Sequence, residues 1–138
     1  MWHRYFIHMC MEIQQWICPV LIVDDDNDLC GLLEATVRKI CPVHSEHDLN
    51  SAGHYLAKLR PEIVFLDNNL PDGTGLLYIK KILAIYPDAK IILMTADLST
   101  GLKEKAIEAG AVQFIAKPFR AAIIKDLIFS VCPDLRVA

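Results

Sequence analysis

The feature that most constrains the fold is a set of short apolar runs without polar alternation. They are PVLIV (19–23), EIVFLD (62–67), AKIILMT (89–95) and AVQFIA (111–116). Unbroken apolar runs of this length indicate strands that are covered on both faces. Between them lie stretches with apolar residues at helical spacing, such as Leu29, Leu32 and Leu33.

A weaker strand is predicted at 43–47, so five strands alternate with five helices. The helices are expected at 29–40, 51–59, 76–86, 98–110 and 119–131. This alternation predicts an α/β fold, a doubly wound parallel sheet of order 2-1-3-4-5 with helices on both faces. At 138 residues the chain has room for one such domain.

The ends of the chain differ from this pattern. In residues 1–18, apolar side chains recur at helical spacing (Phe6, Cys10, Ile13 and Ile17), which predicts an amphipathic helical extension. That helix would pack on the domain, pair with a second copy of the chain in a homodimer, or remain disordered. We therefore expect an extension at 1–18, a domain at 19–132 and a tail at 133–138.

The composition excludes several classes of protein. A net charge of −3 gives no general attraction to nucleic acid or to anionic membranes. No apolar run approaches the roughly 18 residues of a membrane span. The five cysteines show no CxxC spacing, which argues against a disulfide framework or a zinc site and favours reduced thiols in a cytoplasmic protein.

Polar side chains follow the apolar runs where the strands end. Asp24 and Asp25 follow the first strand, Asp67 ends the third, Thr95 the fourth, and Lys117 comes directly after the fifth. Parallel strands bring these ends to one edge of the sheet, where ligands bind in such folds. Carboxylate oxygens suit Mg²⁺, and a magnesium site beside a lysine is typical of phosphoryl transfer. Asp67, on a central strand, is the best candidate nucleophile.

Four motifs in this order, LIVDDD, IVFLDNNLPDGTG, IILMTA and FIAKPF, carry a family resemblance. Over residues 19–131 the chain resembles the response-regulator receiver domain (CheY-like) of two-component signal transduction, which has a flavodoxin-like fold. The resemblance implies that Asp67 is phosphorylated by the phosphohistidine of a histidine kinase, so that the chain is a phosphoprotein of phosphorelay signalling rather than a metabolic enzyme. It would catalyse its own aspartyl phosphorylation and dephosphorylation.

The resemblance also implies roles for single residues. Asp25 and Asp67 would bind Mg²⁺ directly, Asp24 through water, and Asn69 through its backbone carbonyl. Thr95 and Lys117 would contact the phosphoryl group, and the rotamer of Phe114 would report phosphorylation. The Lys117–Pro118 bond matches one that is usually cis.

By the same resemblance, the partners are a histidine kinase or phosphotransfer protein and a downstream protein at the helix 4, strand 5 and helix 5 face. Direct binding to nucleic acid or membrane is not expected. Because the sequence ends about one helix after KPF, a stand-alone regulator, a phosphorelay intermediate and a piece of a larger protein are all open.

Other interpretations stay open at this stage. LIVDDD also resembles the DxD signature of haloacid-dehalogenase-type phosphatases, with Asp24 as nucleophile and Asp26 as general acid. That interpretation leaves LDNNLPDG unexplained and finds only Asp126 as a late acidic residue. A module that only docks is a second alternative. Asp26 is expected to be a solvated helix cap, and Phe114 suits core packing as well as a switch.

Overall fold

A five-stranded parallel sheet forms the centre of the computed structural model, which describes residues 18–136. The strands are β1 (Val20–Val23), β2 (Val43–Glu46), β3 (Ile63–Asp67), β4 (Lys90–Thr95) and β5 (Gln113–Ala116). Their order is β2-β1-β3-β4-β5, which confirms the predicted order 2-1-3-4-5. The helix predicted within residues 1–18 lies outside the described residues, apart from Cys18.

Five helices connect and follow the strands: α1 (Asn27–Val37), α2 (Leu49–Lys58), α3 (Gly75–Ile85), α4 (Leu102–Ala109) and α5 (Ala121–Val131). A 3₁₀ turn, Pro133–Arg136, begins the segment that we expected to be a tail. Within residues 18–136, no helix has the length and apolar character needed to cross a membrane.

Two hydrophobic cores lie on opposite faces of the sheet. Val20 and Ile22 of β1 point into one core, with α1 and α5 above it. Leu21 and Val23 point into the other, beneath α2, α3 and α4. Successive side chains of a strand face opposite sides, so a strand buried on both faces has to be apolar at every position. This is the reason for the unbroken apolar runs.

Polar side chains set where the helices begin. The Asp26 carboxylate accepts the N–H groups of Asp28 and Leu29, so α1 starts at Asn27 and Asp26 is the exposed cap that we expected. Asp48 caps α2 by accepting the Ser51 N–H at 2.7 Å, and the helix begins two residues before the predicted position.

The largest departure from the predicted elements concerns α4. The sequence predicts that this helix includes LSTG at 98–101, but it begins only at Leu102. Asp97 accepts the Ser99 N–H at 2.9 Å, and Gly101 has a left-handed backbone with φ of 89°. A local Asx turn therefore replaces the first helical turn.

Candidate functional site

Three carboxylates from two strand ends meet at one edge of the sheet. One oxygen from each of Asp24, Asp25 and Asp67 lies within 4.8 Å of the other two. Asp24 and Asp67 are buried, whereas Asp25 is exposed. The convergence expected from parallel strands is therefore present in the structure.

Lys117 lies between the two buried carboxylates. Its Nζ is 2.6 Å from Oδ2 of Asp24 and 3.3 Å from Oδ1 of Asp67. Its backbone N–H donates to the Thr95 carbonyl at 2.9 Å, which joins the ends of β4 and β5. The following Lys117–Pro118 bond is cis, as the resemblance implied.

The charges of the site perturb one another. Burial, and then the neighbouring Asp24, raise the pKa of Asp67, although Lys117 and the Asn69 N–H partly offset this effect. Burial alone would lower the pKa of Lys117. The hydrogen bonds and negative charges of Asp24 and Asp67 outweigh this effect, so the pKa of Lys117 is raised. Among the described residues, the three carboxylates are accompanied by one ammonium, which contacts two of them, so the fully ionised cluster carries a net charge of −2.

This donor set fits Mg²⁺. The cluster offers oxygen ligands only, and its charge deficit matches a divalent cation. Oδ1 of Asp24 already accepts the Asp26 N–H at 3.0 Å, and Oδ2 is bound to Lys117. Asp25 is exposed and Asp67 meets Lys117 at the longer distance of 3.3 Å, whereas Asp24 is fully buried with both oxygens engaged and is better placed to reach an ion through water.

The remaining predicted residues surround this cluster. Thr95, at the end of β4, is fully buried, and its Oγ1 accepts the Asp97 N–H at 3.0 Å. Asn69 is exposed, and its backbone N–H donates to the Asp67 carboxylate. Phe114 is half-buried against the core beneath α2, α3 and α4. The carbonyl role of Asn69 and the switch role of Phe114 stay predictions.

Asn68 and Gly75, which both follow β3 in the sequence, hold the start of α3 against Asp67. The Asn68 N–H donates to the Met94 carbonyl, and Asn68 accepts the Gly75 and Leu76 N–H groups through its carbonyl and Oδ1, each at 3.0 Å. A Cβ on Gly75 would lie 2.4 Å from the Asp67 carbonyl oxygen. In the sequence this segment stands only as part of the motif IVFLDNNLPDGTG, and that pattern predicts no role for Asn68 or Gly75.

His47 is a further residue that sequence reasoning missed. Its Nδ1 lies 2.9 Å from the backbone carbonyl of Asp24. His47 directly follows β2, so the strand-end rule that found Asp67 also points to it. The five histidines show no metal-ligand spacing, so the sequence pattern alone does not single this one out. His47 is exposed, yet it contacts the site.

Comparison with known proteins gives consistent results. The sequence model of the response regulator receiver domain family matches residues 20–129. The chemotaxis protein CheY of Thermotoga maritima is 33% identical over 111 residues, which cover 79% of this chain and 92% of that protein. The response regulator protein PilR of Pseudomonas aeruginosa is 31% identical over 109 residues, covering 78% of this chain but only 24% of PilR.

Solved structures show the same fold. The BeF3-activated DrrB receiver domain superposes with a TM-score of 0.80 at 22% identity, covering 85% of this chain and 98% of that chain. A second structure is a response regulator from Burkholderia pseudomallei, solved with a phosphorylated aspartic acid, a calcium ion and citrate. It superposes with a TM-score of 0.73 at 24% identity, covering 82% of this chain and 65% of that chain.

Proposed function

Because the chain belongs to the response regulator receiver domain family, we propose that it is a Mg²⁺-dependent phospho-acceptor in two-component signalling. Receiver domains are signalling proteins rather than metabolic enzymes. In this proposal Asp67 takes a phosphoryl group from a histidine kinase or a phosphotransfer protein. The product then alters the surface around α4, β5 and α5, to which a downstream protein binds.

The observation that supports Asp67 as the acceptor is the difference between the two buried carboxylates. Both oxygens of Asp24 are engaged, and its side chain is 0% exposed. The Asp67 side chain retains 5% exposure, and its contact with Lys117 is longer, at 3.3 Å against 2.6 Å for Asp24. This difference favours Asp67 over Asp24 as the carboxylate that takes the phosphoryl group.

The transfer uses the residues as they stand. A carboxylate oxygen of Asp67 forms the new O–P bond while the P–N bond of the donor histidine breaks, and the imidazole nitrogen keeps the electron pair. Lys117, whose raised pKa keeps it protonated, donates to a phosphoryl oxygen. When bound by Asp24, Asp25, Asp67 and the Asn69 carbonyl, Mg²⁺ supplies positive charge that offsets the charge of the phosphoryl oxygens.

Thr95 and Phe114 would carry the change to the surface. Thr95 ends β4, which pairs with β5, where Phe114 lies opposite Leu93. In this scheme the Thr95 hydroxyl turns toward the phosphoryl group, and Phe114 moves inward. Autodephosphorylation of Asp67 by water would reset the surface.

The geometry argues against the phosphatase alternative. The Asp26 carboxylate, its general acid, is occupied in capping α1, and Asp126 lies exposed on α5. The docking-only alternative leaves the burial of Lys117 between two carboxylates without a purpose.

Incubation with Mg²⁺ and acetyl phosphate, followed by intact mass measurement, tests the proposal. We expect one added phosphoryl group, lost in Asp67→Asn and kept in the control Asp28→Asn, which removes a nearby exposed carboxylate. Labelling that survives in Asp67→Asn, or no labelling of the unmodified chain, would refute it.

We also retain the proposed boundaries, with a receiver unit at 19–132 between an extension at 1–18 and a tail at 133–138. Cys18, at the first boundary, is buried in the core. A cytoplasmic location remains part of the proposal, since the cysteines at 18, 30, 41 and 132 are free thiols, as in reducing compartments.

A further inference from the structure

Three buried cysteines gather at the edge of the sheet opposite Asp67. Cys18 precedes β1, Cys41 follows α1, and Cys132 follows α5, and their exposures are 2%, 3% and 7%. The Sγ atoms of Cys18 and Cys132 are 2.9 Å apart, and the Cys18 thiol also donates a hydrogen bond to Cys41. We call these three residues the sulfur cluster.

A carboxylate completes the group. An oxygen of Glu62 and the Sγ atoms of Cys18 and Cys132 lie within 4.8 Å of one another. The Glu62 N–H donates to the Pro19 carbonyl at 2.8 Å, which holds this residue beside Cys18. The Glu62 side chain is 39% exposed and lies 3.5 Å from Lys90 Nζ, so the cluster is open to solvent on this side.

Ionisation of these thiols would place several negative charges close together beside Glu62. The hydrogen bond to Cys41 and then burial raise the pKa of Cys18, and burial raises the pKa of Cys132. The same hydrogen bond lowers the pKa of Cys41, and the charge of Glu62 opposes ionisation of all three thiols. A cation would relieve this repulsion, as at the aspartate cluster, but three sulfurs select a softer ion than Mg²⁺.

The distance between the two sulfurs alone does not identify the chemistry. At 2.9 Å it lies between the roughly 2.05 Å of a disulfide and the roughly 3.8 Å that separates two thiolates on a tetrahedral zinc ion with Zn–S bonds of about 2.3 Å. A disulfide needs only two sulfurs and no carboxylate. Cys18, Cys132 and Glu62 already supply three ligand atoms close together, and the Cys41 thiol, which is hydrogen-bonded to Cys18, is the candidate for the fourth ligand of a tetrahedral zinc site.

We propose that Cys18, Cys41, Cys132 and Glu62 form a structural binding site for a soft divalent cation such as Zn²⁺. Each thiol releases its proton to solvent as its sulfur binds, and Cys18 and Cys132 move apart by about 0.9 Å to reach tetrahedral spacing. The ion fastens the ends of α1 and α5 to the edge of the sheet where β1 and β3 begin.

Cobalt is the most direct probe, because Co²⁺ bound by thiolates gives intense near-ultraviolet charge-transfer absorption that carboxylates do not give. The full reduced chain is titrated with Co²⁺ in excess Mg²⁺, which occupies the aspartate cluster, and Zn²⁺ is then added to displace the cobalt. We expect one cobalt per chain with this absorption, and its loss on zinc addition.

Variants locate the ligands. Cys18→Ser and Cys132→Ser should each weaken binding at least tenfold, whereas Cys30→Ser, which removes a buried thiol beside Asp24, should leave it unchanged. Glu62→Gln retains the shape of a partly exposed residue and tests the carboxylate should the cysteine variants fail to fold. It is expected to weaken binding about tenfold while circular dichroism and labelling by acetyl phosphate stay unchanged.

Several results would overturn the inference. One is the absence of charge-transfer absorption, and another is absorption and cobalt affinity that are both unchanged in Cys18→Ser and in Cys132→Ser, which would assign the thiolates elsewhere. Unchanged affinity for cobalt in Glu62→Gln would show that the Glu62 carboxylate is not a ligand. The last is a purified chain that contains no metal and shows only three of its five cysteines as reactive thiols after denaturation. Cys18 and Cys132 would then be oxidised to a disulfide, and the cluster would not be a metal site.

Discussion

Replacing Lys117 with methionine should lower the stability of the domain more than any surface substitution. Lys117 is the cation within hydrogen-bond distance of both Asp24 and Asp67, and its side chain is only 19% exposed. Methionine keeps most of the length of the side chain but removes the charge. The fully buried Asp24 carboxylate then loses a partner at 2.6 Å.

The expected loss is at the low end of the range for broken buried ion pairs. Removing one partner of such a pair costs about 3–5 kcal/mol. Because the cluster opens to solvent on the side of Asp25, we expect about 3 kcal/mol at pH 7. With a urea dependence of about 2 kcal/mol per molar, the unfolding midpoint falls by about 1.5 M.

The loss should depend on pH and on Mg²⁺. Without the ammonium, the pKa of Asp67 rises further above its unfolded value of about 3.9, so the folded state binds more protons than the unfolded state as pH increases from 4 to 7. Stability of the variant therefore falls across this range, and its deficit is smallest near pH 4. Saturating Mg²⁺ should stabilise the variant more than the unmodified chain.

Urea titrations of Lys117→Met, Asp24→Asn and the double variant measure the coupling between the two residues. Lys125→Met, an exposed lysine on α5, is the matched control and should change stability by less than about 0.5 kcal/mol. The reasoning is refuted if Lys117→Met lowers the free energy of unfolding no more than Lys125→Met does. It is also refuted if Lys117→Met lowers it as much in the Asp24→Asn background as in the unmodified chain.

Three further substitutions have defined outcomes. Asp67→Asn should raise the urea midpoint at pH 7, because a raised carboxyl pKa makes ionisation destabilising, and the gain should vanish near pH 4; an equal gain at both values contradicts this. Gly75→Ala should lower the free energy of unfolding in urea titrations by about 1–3 kcal/mol, because the added Cβ would meet the Asp67 carbonyl oxygen. In the control Gly31→Ala the added Cβ has nothing within 4 Å, so the free energy of unfolding should rise by about 0.5–1 kcal/mol. Asp72→Asn should lower the thermal midpoint at pH 7, because Asp72 accepts the first N–H groups of α2 and its pKa is lowered by them. The difference should shrink progressively as pH falls below about 3.9, and a pH-independent difference would contradict this origin.

The sheet and most of the carboxylate site follow from local patterns. Burial on both faces requires apolar residues through the interior of β1, β3 and β4, and that requirement is visible in the sequence. Once the strands are parallel, Asp24, Asp67 and Lys117 have to meet at one edge. Their contacts therefore need no detailed knowledge of packing to be predicted.

The features that were missed depend on the exact path of the backbone. The close approach of Gly75 to Asp67 is set by how α3 begins, and no residue pattern reports it. The sulfur cluster joins Cys18 to Cys132, 114 positions apart, so a search for short cysteine spacing cannot find it. Such contacts emerge only when α1 and α5 are placed on the same face of the sheet.

The hydrogen bonds of Asn68 limit how the domain can respond to a change at its neighbour. Asn68 is bonded to β4 on one side and to the first turn of α3 on the other. A larger group on Asp67 would therefore meet resistance at the end of β3, because that end is anchored in two directions. We expect the displacement to pass instead into the exposed segment of residues 96–100, which follows Thr95 and leads into α4.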